Sequence, residues 1–154
     1  MNQVMKALRK MHNMERLATE IYRMQTGAFS DEKELADRLR AAMLNEQEHI
    51  DNLKARIEDL GGSTSALGVA FQMAGKIMGR VPTLLGKNSV FKTDIWIEEK
   101  AIQDYGAFLQ KLDFDAESRD VIEQNTQDER VHVRRWKECI EILKQKEHSN
   151  KGKE

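Results

Sequence analysis

Asn45-Glu46-Gln47-Glu48-His49 recurs later in the chain as Asp128-Glu129-Arg130-Val131-His132, each copy setting a carboxylate and an imidazole three residues apart. On a helix that spacing places both side chains on one face, one turn apart. Working outward, another glutamate precedes each copy by the same 31 residues, Glu15 before Glu46 and Glu98 before Glu129. A tyrosine follows each of these first glutamates seven residues later, at Tyr22 and Tyr105. The chain therefore reads as two similar halves, each carrying Glu, Tyr, then Glu-x-x-His. Four glutamates and two histidines in this order form the ligand set of a di-iron or di-manganese carboxylate site in a four-helix bundle.

The apolar pattern around these residues predicts four long helices. The first covers about 2–25, ends at Gly27, and carries the inward stripe Val4, Leu8, Met11, Glu15, Ala18, Tyr22. The second, capped by Ser30 or Asp31, reaches Leu60 before Gly61-Gly62. Its stripe is Leu35, Leu39, Ala42, Glu46, His49, Leu53, Ile57, Leu60. The third covers about 89–112 with Phe91, Ile95, Glu98, Ile102, Tyr105, Leu109, Leu112 inward. The fourth, capped by Asp115, reaches about Lys146 on the stripe Ile122, Asn125, Glu129, His132, Trp136, Ile140, Leu143. Short links inside each half imply antiparallel hairpins, and residues 61–87 form a long crossover punctuated by Gly68, Gly75, Gly79 and Pro82. Within it, 66–78 is expected to be a short amphipathic helix. The expected architecture is an all-α four-helix bundle over 1–146, with a polar, frayed tail over 147–154.

Each predicted helix thus sets a glutamate, and two add a histidine, where the seam calls for leucine or methionine. An unpaired carboxylate in such a place costs several kcal/mol, and four together repel one another as well. No lysine lies on any of the four stripes, so the compensating charge must be a cation, and two divalent ions balance four carboxylates. Imidazole with carboxylate suits iron, manganese or zinc. The same symmetry suggests a supporting layer: Asn45 accepting a proton from His132, Asp128 accepting one from His49, and Tyr22 and Tyr105 bonding to ligand carboxylates. His12 and His148 fall off the register and read as surface residues. Trp96 and Trp136 read as packing anchors, and the eight methionines as core filler.

Composition excludes several alternatives. A length of 154 residues fits one domain, and 33% charged with 40% apolar residues is the balance of a soluble helical protein. A net charge of −1 with interspersed signs offers nucleic acid no attraction. The lone Cys139 forms no internal disulfide, and the first ten residues hold no apolar run that could act as a secretory signal, so the expected location is cytoplasmic. The crossover, 66–86, is apolar but too short to span a bilayer. It is expected to pack on the bundle, with peripheral membrane or partner contact as the alternative.

Residues 15–25, Glu-Arg-Leu-Ala-Thr-Glu-Ile-Tyr-Arg-Met-Gln, resemble the first helix of the demethoxyubiquinone hydroxylase family, the di-iron monooxygenases of ubiquinone biosynthesis. The resemblance continues through Glu46-Gln47-Glu48-His49, Thr64-Ser65-Ala66-Leu67, Ala74-Gly75-Lys76-Ile77-Met78-Gly79 and Leu84-Leu85-Gly86-Lys87. It runs on to Ile97-Glu98-Glu99 with Tyr105 and to Asp128-Glu129-Arg130-Val131-His132, covering most of residues 8–136. Rubrerythrins and ferritins share the metal motif; the glycine-rich crossover makes this resemblance the more specific one. It implies a ferritin-like fold, two iron ions held by Glu15, Glu46, His49, Glu98, Glu129 and His132, and dioxygen-dependent hydroxylation of a quinone ring with electrons from an external donor. The ligand set also accepts manganese or a mixed pair. Two alternatives stay open at this point: a rubrerythrin- or ferritin-like protein that handles iron or reduces peroxide, and a metal-free interaction bundle; a homodimer through an outer face is compatible with any of these.

Overall fold

The structure is a computed structural model that describes residues 3–29, 31–66 and 68–151. The expectations placed on Asn2, Ser30, Leu67 and residues 152–154 lie outside the described residues. Five helices follow one another: α1 (Gln3–Ala28), α2 (Lys33–Asp59), α3 (Gly68–Leu84), α4 (Lys87–Lys111) and α5 (Ala116–Lys151). α1 packs along α2 and α4 along α5; α2 meets α5 and α1 meets α4, joining the two hairpins, while α3 lies mainly on α1. This is an all-helical, ferritin-like bundle.

The bundle has two apolar ends and a polar middle. One cluster gathers Ala7, Leu8 and Met11 from the start of α1, Leu53 and Ile57 from the end of α2, Tyr105 from α4, and Ile122 from the start of α5. The other gathers Ile21 and Tyr22 from further along α1, Leu35 and Leu39 from the start of α2, Phe91 from the start of α4, and Trp136 and Leu143 from α5. That pairing of early with late segments makes each hairpin antiparallel. Between the clusters, at mid-length in all four long helices, fall the glutamates and histidines of the repeated motif. Fully buried Leu, Ile, Phe and Trp side chains on either side contribute roughly 1.5–3 kcal/mol each, and they hold the polar layer in place.

Several boundaries differ from the sequence expectations. α1 runs through Gly27 to Ala28. The N-cap of α2 is Glu32, with no side-chain capping bond; its carboxylate instead pairs with Lys87 and Lys146, tying the starts of α2 and α4 to α5. α2 ends as expected: Gly61, at φ 74°, donates to Glu58 and Gly62 donates to Ile57, which satisfies the last carbonyls. Leu60, expected on the inward stripe, is exposed because it lies beyond the last helical residue. Asp115 caps α5 through the Ser118 N–H at 2.9 Å, and α5 continues past Lys146 to Lys151.

The crossover helix is longer than expected. α3 runs to Leu84 with Pro82 inside its last turns, and its glycines serve a close approach. A Cβ on Gly75 would sit 2.6 Å from the Leu17 carbonyl oxygen, and one on Gly79 would sit 2.7 Å from that of Ile21. Residues that read as breakers in the sequence are what let α3 touch the α1 backbone.

Candidate metal centre

The polar layer is built from one glutamate on each of α1 and α4 and a Glu-x-x-His pair on each of α2 and α5. The structure brings Glu15, Glu46, His49, Glu98, Glu129 and His132 together, none more than 2% exposed. One potential ligand atom from each of Glu15, Glu46, His49 and Glu129 lies within 4.8 Å of the others, and the same holds for Glu46, Glu98, Glu129 and His132. Glu46 and Glu129 belong to both groups, so the two groups, each able to hold a metal ion, share two carboxylates. Both histidines turn Nδ1 inward. That of His49 stands 3.3 Å from Glu46 and 3.3 Å from Glu129, and that of His132 stands 3.1 Å from both.

Among the described residues no lysine or arginine pairs with these four glutamates; their partners are the two imidazoles and two phenols. Burial, followed by the charges on Glu129 and Glu46, pushes the Glu15 and Glu98 carboxyls well above their ordinary range. Burial would raise Glu46 too, but His132 and His49 outweigh it and hold its carboxyl well below that range. Burial alone would lower His49, yet the carboxylates of Glu129 and Glu46 push it up to about 12; His132 is raised in the same way. Four carboxylates with two neutral imidazoles carry four negative charges, which two divalent cations cancel. Buried Glu46 Oε1 and Glu129 Oε1 lack a well-aligned hydrogen bond, and both belong to the shared carboxylates. The donor set and these unsatisfied oxygens fit a pair of metal ions.

The supporting groups differ from the symmetric expectation. The Tyr22 hydroxyl donates to Glu98 and the Tyr105 hydroxyl to Glu15, and burial raises both phenols so that they keep their protons. His49 Nε2 lies 3.2 Å from Asp128 Oδ2. The matching contact from Asn45 to His132 is not made: His132 Nε2 is buried with no hydrogen-bond partner among the described residues. A neutral amide attracts an imidazole N–H less than a carboxylate does, and beside His132 the indole of Trp136 packs at 6.2 Å between centroids.

Other residues were misplaced by sequence reasoning. His12 is 3% exposed, and burial, then Arg16, lowers its imidazole pKa; its off-register position reflects a second buried face of α1, near Asp51 and Lys54 of α2. Trp96 is 60% exposed, whereas Trp136 is fully buried and stacks on Phe91. A buried pair escaped notice altogether: the Gln25 amide donates to Asp94 Oδ1 at 2.7 Å, and burial pushes Asp94 well above the carboxylate range. Asp94 lies four residues before Glu98, a helical spacing that could have revealed it.

Two clusters of buried carboxylate and imidazole, sharing two glutamates at the centre of four helices, define a ferritin-like bundle with a candidate dinuclear metal centre. The chain belongs to the family described as ubiquinone biosynthesis protein COQ7, which it matches over residues 2–144. No individual curated protein matches it. Membership supports an enzymatic role for the chain in ubiquinone biosynthesis, as a hydroxylase.

Proposed function

We propose that this chain is a di-iron monooxygenase that hydroxylates a demethoxyquinone ring with dioxygen and electrons from an external donor. The observation that carries the reading is the pair of buried four-residue clusters sharing Glu46 and Glu129, in a chain that matches the family along nearly its whole length. Glu15, Glu46, His49 and Glu129 would hold one metal ion, and Glu46, Glu98, Glu129 and His132 the other. When bound, the metals supply dioxygen activation, with iron the favoured pair and manganese or a mixed pair accepted by the same ligands.

The protein's own part is placement and exclusion. Its two apolar clusters close the polar layer from both ends of the bundle and keep bulk water away from the ligands. Tyr22 and Tyr105, kept protonated, donate to Glu98 and Glu15 and fix those carboxylates. Asp128 accepts the His49 Nε2 proton and leaves Nδ1 as the metal-facing nitrogen.

Substrate access is proposed along α3. Its inner face packs on α1, while Met73, Ile77, Val81, Leu84 and Leu85 form an exposed apolar stripe flanked by Lys76 and Arg80. No helix among the described residues is long and apolar enough to cross a membrane. An apolar stripe with basic flanks suits contact with the surface of an anionic bilayer, where a long-tailed quinone is dissolved.

The test incubates iron-loaded protein with a reductant, dioxygen and a short-tailed demethoxyquinone. Hydroxylated quinone, formed in proportion to loaded protein, is expected. Rapid peroxide consumption with no quinone product would replace this reading with a peroxide-reducing one.

A further inference from the structure

The two candidate metal positions are supported from opposite kinds of residue. Behind the position of Glu15, Glu46, His49 and Glu129 stands a carboxylate, Asp128, on the outer nitrogen of His49. Behind the position of Glu46, Glu98, Glu129 and His132 the outer imidazole nitrogen has no hydrogen-bond partner among the described residues. That position has an indole instead. Trp136, four residues after His132, packs its ring at 6.2 Å from that imidazole and donates its N–H to the Tyr22 hydroxyl oxygen at 3.3 Å. Tyr22 in turn donates to Glu98.

The chemistry of these groups fixes the direction of the chain. An indole N–H can only donate, and a phenol has one proton to give. With a Tyr22 lone pair engaged by Trp136, the phenol proton points to Glu98, and the plane of that carboxylate is restrained with it. The other half has no such device. Leu53 stands at the equivalent step after His49, and among the described residues no hydrogen bond arrives at the Tyr105 hydroxyl. Glu15 accepts from a phenol that receives no hydrogen bond of its own among the described residues; Glu98 accepts from a phenol that does.

We propose that Trp136 is a positioning residue for one metal position only, that of Glu46, Glu98, Glu129 and His132, acting through Tyr22 on Glu98 and by ring packing on His132. This rests on the proposed metal centre, though not on the hydroxylation. Trp136 does on the Glu98–His132 side the orienting that Asp128 does on the His49 side.

The test titrates the metal-free full-length protein with cobalt(II), followed by calorimetry and by cobalt absorption. Crystals grown at limiting cobalt locate each equivalent by anomalous scattering. In Trp136→Phe, which keeps the aromatic packing and loses the N–H, one equivalent is expected to weaken on the order of ten-fold, with lower occupancy at the Glu98–His132 position. Asp128→Ala is expected to weaken the opposite position. Tyr22→Phe should reproduce the Trp136→Phe effect, and adding Trp136→Phe to Tyr22→Phe should cost less than Trp136→Phe costs alone, since the two act in one chain. A purely packing role would lower the melting temperature without choosing between positions. If Trp136→Phe folds poorly, Tyr22→Phe with the same selectivity readout decides. Equal affinities at both positions in these variants, equal weakening of both, or full additivity of Trp136→Phe on Tyr22→Phe would overturn the proposal. A wild-type chain that binds no cobalt at the six residues would overturn the metal centre itself.

Discussion

The first hairpin, α1 with α2, and the second, α4 with α5, carry the same motif at the same spacing, yet they are finished differently. In the second-half position His132 lacks the carboxylate that backs His49, and Trp136 and Tyr22 brace Glu98 instead. One turn before Glu98 lies Asp94, bonded to Gln25, whereas Met11 stands one turn before Glu15 and Phe108 stands where Gln25 does relative to Tyr22. α3 rests mainly on the first half. A repeated ligand pattern therefore fixes where metals can sit, while the residues one layer out are free to make the two positions unlike.

The largest effect that would sharpen this comparison comes from the ligands. Glu46→Ala removes a shared carboxylate and is expected to abolish both positions, losing more than about 100-fold in affinity at each, whereas Glu15→Ala should strip only one. Metal analysis of the purified, reloaded variants checks it; a Glu46→Ala protein that keeps one tight equivalent would break the sharing. Next in size, Asp128→Ala should cost about 10–100-fold at the His49 position, read by calorimetric titration. Unchanged occupancy would remove Asp128 from the account.

A smaller effect separates the halves by α3. Gly79→Ala drives a methyl group against the Ile21 backbone and should destabilise the fold by about 1–3 kcal/mol in urea unfolding. Hydrogen exchange should rise in α1 and not in α5. The smallest effect probes Asp94. Its carboxyl is raised above its unfolded value by burial, so its contribution to stability is complete below the unfolded pKa and is lost as pH rises through the folded one. Asp94→Asn removes that dependence and can return a bond to the unpartnered Gln25 Oε1. Its melting temperature should overtake wild type as pH rises, by roughly 2–4 °C per kcal/mol in a chain of this size. Parallel melting curves from pH 4 to 9 would contradict it.

The fold was legible because charge interrupts the apolar stripes at one level in each of the four long helices. Equal spacing between Glu15 and Glu46 and between Glu98 and Glu129 turned two common four-residue motifs into a pattern. What escaped was whatever depends on a neighbour in space. Gly75, Gly79 and Pro82 read as punctuation, yet the glycines permit contact with α1 and the proline falls inside the last turns of α3. Trp96 and Trp136 have the same local character, and only packing tells that one is exposed and the other buried. His12 lies off the bundle seam but on a second buried face of α1, near Asp51 and Lys54 of α2. The Asn45 contact followed from symmetry, and symmetry ended at the ligands.

The central claim is that two cations occupy the polar layer and share Glu46 and Glu129. Anomalous diffraction from crystals of the iron-loaded protein tests it directly. The account predicts two peaks about 3.5–4 Å apart, one bounded by Glu15 and His49, the other by Glu98 and His132, with both shared glutamates between them. A single peak, peaks outside these six residues, or loaded crystals with no peak would contradict it.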